Sequence, residues 1–437
     1  MTEPTAAVPR RHTLRSLSTS WQRRTAPGMA TGLAWFAAEA IQSIALIPFY
    51  AVVLGPIDAA NWIAITSGAG LVALACAGYY QPLVRSIAAH CPPCRDTVTA
   101  PSNWSALQRH CQRVGMVCLL LLQVVFCGVA THVGVTQHPT QLAAIALYFV
   151  GLHLRLAAYN QFLLLNGLRR VGSDKRALLL ASIFTTVMLL ALGSIWRHVL
   201  ALGTAALAGN TILLILALRA TRPWRRVAAR AGLDGASPVR MPGRREMAGL
   251  LLLAGAGYLN TGTDLILATR WLAPAAALDY AWWSKLLFAQ VAIIGLWTQL
   301  RFPFWADPTL ALPVLRASLA RASAAVAVSG IVLLALYATF STGHDRLTPW
   351  MMAAMALNAF ASCVSVLTGQ GLTALGRYRF VPPSVAAACL APAAAWLAGS
   401  WLPQAFVLGY LAVNIALAVV NVAYFLSATR PPSAQIA

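Results

Sequence analysis

Residues 405–427 read AFVLGYLAVNIALAVVNVAYFLS, a run of 23 residues without a charged side chain. A bilayer core about 30 Å thick needs roughly 20 helical residues to cross it, and lipid offers no hydrogen-bond partner to irregular backbone. The run therefore predicts a transmembrane α-helix. Similar runs recur along all 437 residues, of which 59% are hydrophobic and only 10% charged. Since a soluble protein is about a quarter charged, we predict an all-α membrane protein.

The chain is predicted to contain twelve membrane-spanning helices. They cover residues 29–54, 57–79, 114–135, 141–166, 177–195, 199–218, 247–272, 279–301, 323–340, 348–374, 382–400 and 405–427. A long basic segment after the sixth helix separates two groups of six, as in transporters built from two repeats. We expect two six-helix lobes around a central cavity. The predicted divisions are a basic N-terminal tail at 1–28, an N-lobe at 29–218, a basic linker at 219–246, a C-lobe at 247–427 and a C-terminal tail at 428–437.

The net charge of +21 would also suit a nucleic-acid-binding protein, so the positions of the basic residues decide between the two classes. Of the 32 Lys and Arg residues, 26 fall in the tails and the even-numbered connections, whereas only Arg197 and Arg346 fall in the odd-numbered ones. Basic flanks are retained in the cytoplasm, so both termini are predicted to be cytoplasmic and no nucleic-acid partner is expected. The bias towards Arg and Ala suggests a bacterium, and hence a multi-pass protein of its inner membrane.

Sequence motifs of enzymes are missing. The chain has no Walker A, GxGxxG, HExxH or GxSxG pattern, and its predicted outer connections are too short for a catalytic domain. We therefore expect a transporter and no enzyme. Cys91, Cys94, His110 and Cys111 share one predicted cytoplasmic loop, but two adjacent residues are poorly placed to bind one tetrahedral zinc ion. No metal site is predicted, although metal binding by these four residues stays an open question.

Basic residues inside the helices are the first candidates for a functional site, because a charge in the bilayer costs about 2.5 to 3.5 kcal/mol on insertion scales. Arg155 lies near the middle of the fourth helix, with Tyr159 and Asn166 along its face. Lys285 in the eighth helix and Arg270 near the end of the seventh either face the cavity or extend to the membrane surface. A guanidinium at this depth suits a phosphate or diphosphate. We predict these five residues to bind substrate.

Two acidic residues lie in the helices as well. Glu39 is near the middle of the first helix, and Asp264 in the seventh follows Asn260 by four residues. A desolvated carboxyl group can exchange a proton or bind Na⁺, so these three residues are predicted to couple transport to one of the two ions. Alternatively, Glu39 forms a buried ion pair with Arg155 that joins two helices, and Asp264 forms a helix-packing hydrogen bond. No other cofactor is expected.

Several short landmarks occur in a characteristic order. Pro48 lies in the first helix before a Leu54-Gly55 turn, residues 165–170 read LNGLRR after the fourth helix, Asp264 lies in the seventh, and residues 375–377 read LGR. This order resembles polysaccharide-transport members of the multidrug/oligosaccharidyl-lipid/polysaccharide exporter superfamily. The resemblance implies a flippase for undecaprenyl-diphosphate-linked oligosaccharides in O-antigen or exopolysaccharide synthesis. Its implied partners are the lipid-linked glycan, membrane lipids, and a polysaccharide polymerase with its export machinery. Family cavities present Arg and Lys to the glycolipid, which matches Arg155 and Lys285.

Other functions stay open at this point. A drug/cation antiporter of the same superfamily would have the same architecture, but a cavity rich in carboxylates would be expected. A membrane polysaccharide polymerase would also handle lipid-linked sugars. A major-facilitator transporter has twelve spans and a basic central loop, yet its Gly-Asp-Arg signature is missing between Tyr80 and Arg113.

Overall fold

A computed structural model describes residues 30–32, 34–35, 37–39, 42, 44–90, 103–133, 138–168, 171–233, 243–305, 312–340, 347–375, 377 and 379–429. This part of the chain is helical and contains no β-strand. Its helices are α1 (Ala30–Leu54), α2 (Pro56–Thr66), α3 (Gly70–His90), α4 (Trp104–Val133), α5 (Pro139–Gly167), α6 (Val171–Trp196), α7 (Val199–Leu233), α8 (Arg244–Gly262), α9 (Asp264–Trp271), α10 (Pro274–Trp305), α11 (Leu312–Phe340), α12 (Pro349–Ala374), α13 (Val381–Trp401) and α14 (Phe406–Ala428).

The twelve predicted spans correspond to these helices. The second span is α2 and α3, joined by a 3-10 turn at Ser67–Ala69, and the seventh span is α8 and α9, which are separated at Thr263. Within the described ranges, ten helical segments are long and apolar enough to cross a membrane. The other two predicted spans are α8 with α9, and α10. The prediction of an all-α, multi-pass membrane protein is confirmed, whereas the orientation of the termini stays a prediction.

Several helices extend beyond the apolar runs that predicted them; α3, for example, continues to His90 and α11 begins at Leu312. α4 begins at Trp104 instead of residue 114, and α7 continues to Leu233, into the predicted linker at 219–246. α10 begins at Pro274, five residues earlier than expected, because proline is favoured in the first turn of a helix. Arg residues form helices readily and suit a helix C-terminus, so α7 continues after its apolar part has ended. Hydropathy detects only the apolar part.

The two halves of the sequence contact each other at close range. Within the first half, α5 packs against α7 and α3, and within the second half α14 packs against α12 and α13. Between the halves, α3 packs against α8 and α2 packs against α10. A Cβ atom on Gly70 would lie 2.7 Å from the ring of Tyr258, and one on Gly78 would lie 3.0 Å from the carbonyl oxygen of Met247. The two glycines therefore favour this close approach of α3 to α8. The exact lobe boundaries stay a prediction.

Candidate functional site

A cavity of about 280 Å³ lies between the first-half helices and α10. Three charged residues line it: Glu39 from α1, Arg155 from α5 and Lys285 from α10. The uncharged polar and aromatic lining comes from α1, α2, α5, α6 and α7. These lining residues are Gln42, Tyr50, Trp62, Thr66, Tyr148, Ser182, Thr185 and Asn210. The cavity is thus formed by both halves of the sequence.

Arg155 and Glu39 form an ion pair inside this cavity. The terminal Nη2 of Arg155 donates to Oε1 of Glu39 at 2.8 Å, and its Nε donates to the hydroxyl of Tyr159 at 3.4 Å. The side chain of Arg155 is 23% exposed and that of Glu39 is 34% exposed. The ion-pair alternative is therefore observed. Because both side chains remain partly exposed and line the cavity, the pair is accessible to a bound molecule.

The polar face of α1 lies against α5 and α6. Trp35, Glu39 and Gln42 follow helical spacing on one face of α1. Ser182 of α6 donates to Oε1 of Gln42 at 2.8 Å, and Nζ of Lys175 lies 4.5 Å from the ring centroid of Trp35. These contacts hold Glu39 at the position where it meets Arg155.

Lys285 lies several turns into its helix. From Pro274, where α10 begins, eleven residues separate it from the helix end, which is about 16 Å of helix. Its side chain lines the same cavity as Arg155. The cavity therefore carries two basic groups and one acidic group, a formal excess of one positive charge. The observed start of α10 removes the main reason for treating Lys285 as a surface anchor.

Three of the five predicted substrate-binding residues do not line the cavity: Tyr159 contacts Arg155, and Asn166 and Arg270 lie elsewhere. Asn166 is eleven residues beyond Arg155 on α5, and its Nδ2 donates to the hydroxyl of Tyr80 at 2.7 Å. Arg270 is exposed, and its guanidinium lies 5.8 Å from the ring centroid of Trp271. Neither residue lines the cavity. Their predicted role in substrate binding stays a prediction.

Asp264 forms a second polar site, in the second half of the chain. It is 3% exposed and is the first residue of α9, where the helix dipole favours a negative charge. Its Oδ2 accepts from Ser284 at 2.9 Å and from Tyr280 at 3.2 Å. Its Oδ1 is buried, with no hydrogen-bond partner among the described residues. The side chain of Asn260 lies outside the described residues, so its predicted pairing with Asp264 stays a prediction.

The cysteine-rich loop can be followed only in part. Cys91 and Cys94 lie outside the described residues. Near the start of α4, His110 is exposed whereas Cys111 is buried. Among the residues that the structure describes, no group of three or more His, Cys, Asp or Glu side chains is arranged to bind a metal ion.

Several residues of these two sites were missed in the sequence. Trp62 and Tyr148 both line the cavity, and the Tyr148 hydroxyl donates to the carbonyl oxygen of Thr66 at 3.0 Å, but the sequence analysis named neither as a site residue. Tyr280 and Ser284 were detectable, because they are four residues apart on α10 and therefore share one face. Polar residues one turn apart in an apolar helix are a usable signal.

Solved structures share this arrangement of helices. A mutant of the Vibrio cholerae MATE transporter VcmN matches with a TM-score of 0.55 and 12% identity, over 95% of this chain and 97% of that one. The eukaryotic MATE transporter AtDTX14 matches with a TM-score of 0.55 and 10% identity, over 94% of this chain and 96% of that one. The fold is that of a MATE transporter.

Membership of the superfamily that the sequence landmarks resemble stays a prediction. No protein-family model matches the sequence, and neither does any curated protein. Because the structural relatives share so little sequence identity, the likeness is one of fold. The narrower expectation, that the chain is of the polysaccharide-transport type, stays a prediction.

Proposed function

We propose that this protein is a flippase of the bacterial inner membrane that moves undecaprenyl-diphosphate-linked oligosaccharide units for exopolysaccharide or O-antigen synthesis. The observation that carries the proposal is that Arg155 and Lys285 line one cavity. The MATE fold supports alternating access, in which the cavity opens first to one side of the membrane and then to the other. A polysaccharide polymerase and its export machinery would take over the delivered units.

The charges of the cavity suit a diphosphate. A guanidinium binds two oxygen atoms with its planar fork, and an ammonium group adds a compact positive charge. Both interactions are strengthened in the low dielectric of a membrane protein, where an anion without a partner would be costly. A cavity of about 280 Å³ is at the lower end of ligand-site sizes, which run to about 1,000 Å³. It would therefore hold the diphosphate and its first sugar, and it would have to open further for a whole repeat unit.

A drug/cation antiporter is the second candidate, because the solved proteins with this fold are MATE transporters. A cationic cargo would require a cavity with excess negative charge. The observed cavity has Glu39 against Arg155 and Lys285. The charges of the lining residues therefore favour an anionic substrate, whereas Asp264, which acts electrostatically on Lys285 from outside the lining, would favour a cation.

The test is a flipping assay with the purified protein in vesicles. A fluorescent diphosphate-linked oligosaccharide lipid should cross the bilayer, and Arg155→Ala should slow it by at least about tenfold, since a hydrogen bond to a charged group contributes about 1.5 to 3 kcal/mol. Arg225→Ala is the matched control, because Arg225 is exposed on the last turns of α7. We expect the control to flip at the wild-type rate.

Three results would contradict the proposal. If Arg155→Ala flips the glycolipid at the wild-type rate, the cavity does not bind the substrate during transport. Export of a lipophilic cation without any movement of the glycolipid would support the antiporter. Formation of longer glycans in the vesicles would indicate a polymerase.

A further inference from the structure

Inside the cavity, a carboxylate of the protein binds the guanidinium that a substrate anion would contact under the proposed function. Glu39 accepts from Nη2 of Arg155, and the Nε of the same guanidinium is bonded to Tyr159. Lys285 lines the cavity too, and among the described residues no carboxylate lies within 4.0 Å of its Nζ. The cavity therefore contains one basic group that is paired with Glu39 and one, Lys285, that interacts electrostatically with the buried Asp264 but forms no ion pair with it within 4.0 Å.

We propose that Glu39 is an internal counter-ion that a headgroup must displace from Arg155, and that this competition selects headgroups with at least two negative charges, such as a diphosphate. The inference rests on the proposed function, because it concerns the substrate of the same cavity. It assigns to Glu39 a role in specificity, which differs from the predicted role in ion coupling.

The selection follows from counting charges. A phosphodiester, as found in ordinary phospholipids, carries one negative charge. Binding it to Arg155 would exchange one singly charged partner for another and would leave the displaced carboxylate of Glu39 beside a second anion. At low dielectric that repulsion is costly. The ion pair thus excludes the lipids that surround the protein in large excess.

A diphosphate differs because its charge is spread over two phosphate groups. One group can bind Arg155 while the other approaches Lys285, so a second ionic contact offsets the loss of the pair between Glu39 and Arg155. Bidentate binding of oxygen atoms by the guanidinium adds to this advantage. The affinity for a doubly charged headgroup should then be limited by the free energy needed to separate the carboxylate of Glu39 from Arg155.

The experiment measures binding of two soluble probes to the full chain in detergent. Inorganic pyrophosphate represents the diphosphate, and dimethyl phosphate represents the phosphodiester. Titration calorimetry of the wild-type protein should detect pyrophosphate and no dimethyl phosphate. Glu39→Gln should bind pyrophosphate about tenfold more tightly, equivalent to about 1.4 kcal/mol, and should gain measurable binding of dimethyl phosphate.

A matched control removes a carboxylate outside the cavity. Asp58 lies in the first turn of α2 and accepts from Nε2 of Gln141 at 2.8 Å. Asp58→Asn changes the net charge of the protein by the same amount as Glu39→Gln and should leave both affinities unchanged. If Glu39→Gln does not fold, Glu39→Asp provides the second variant. Its shorter side chain weakens the pair, so its pyrophosphate affinity should also rise.

The outcomes separate the inference from the function on which it rests. If Glu39→Gln keeps wild-type affinity and selectivity and only unfolds at a lower temperature, Glu39 merely joins α1 to α5 and the inference is wrong. A wild-type protein that binds neither probe would overturn it as well. If binding is selective as described but the glycolipid does not flip in vesicles, the inference holds and the proposed function fails.

Discussion

The tight packing of α13 against α14 gives a sharp prediction for Gly409→Ala. A Cβ atom on Gly409 would overlap the backbone nitrogen of Ala395 and would lie 2.5 Å from the carbonyl carbon of Ala394. Ordinary van der Waals contact begins at 3.4 Å. The neighbouring atoms belong to the backbone, so they cannot move aside by a side-chain rotation. The two helices would have to separate by about 1 Å, as expected where small residues allow helices in a membrane to approach closely.

The magnitude of this effect follows from two opposing terms. Forcing an extra methyl group into a well-packed interface costs about 1 to 3 kcal/mol. Replacing glycine by alanine within a helix stabilises the helix by up to about 1 kcal/mol, because alanine has the higher helix propensity. Because the contact is made with rigid backbone, we expect the cost to lie at its upper end. The free energy of unfolding should therefore fall by about 2 kcal/mol.

The assay is thermal unfolding of the full chain in detergent, followed by tryptophan fluorescence. Gly409→Ala should lower Tm by several degrees. Gly128→Ala in α4 is the matched control, since nothing lies within 4 Å of the Cβ atom that it would add. Its Tm should equal or exceed that of the wild-type protein. A Gly409→Ala variant with the wild-type Tm would refute the close approach of α13 and α14.

Two further predictions concern buried polar groups in the second half of the chain. Asn414→Leu removes the donor of a buried hydrogen bond of 2.7 Å to Oδ1 of Asn358. The free energy of unfolding should fall by about 1 to 3 kcal/mol, because the oxygen of Asn358 loses its partner. An unchanged Tm in the same thermal assay would contradict this prediction. Asp264→Asn removes the carboxylate predicted to exchange a proton or bind Na⁺, so glycolipid flipping in vesicles should lose its dependence on an imposed ion gradient. If that dependence persists, Asp264 serves helix packing through Ser284 and Tyr280.

The helices could be predicted from the sequence because crossing a bilayer leaves a strong signal. A run such as residues 405–427 has only one structure available in lipid, and α14 covers nearly all of it. The ends of α7 and α10 could not be placed in the same way, since a helix can continue into water with polar residues. The break at Thr263 was missed because the polar residues before Asp264 also suit one face of an unbroken helix.

The types of residue in the candidate site could be predicted from the sequence, but which of them lie together in space could not. Insertion cost draws attention to Arg155, Lys285 and Arg270, because each is a basic side chain within or near an apolar run, and most strongly to Arg155 near the middle of its helix. Which of them face a cavity depends on how each helix is rotated about its axis, and that rotation is set by packing against helices far away in the sequence. In the structure, Arg155 and Lys285 line one cavity, whereas Arg270 is exposed. This packing therefore sets which charges line the cavity, and those charges are the property on which the proposed anionic cargo depends.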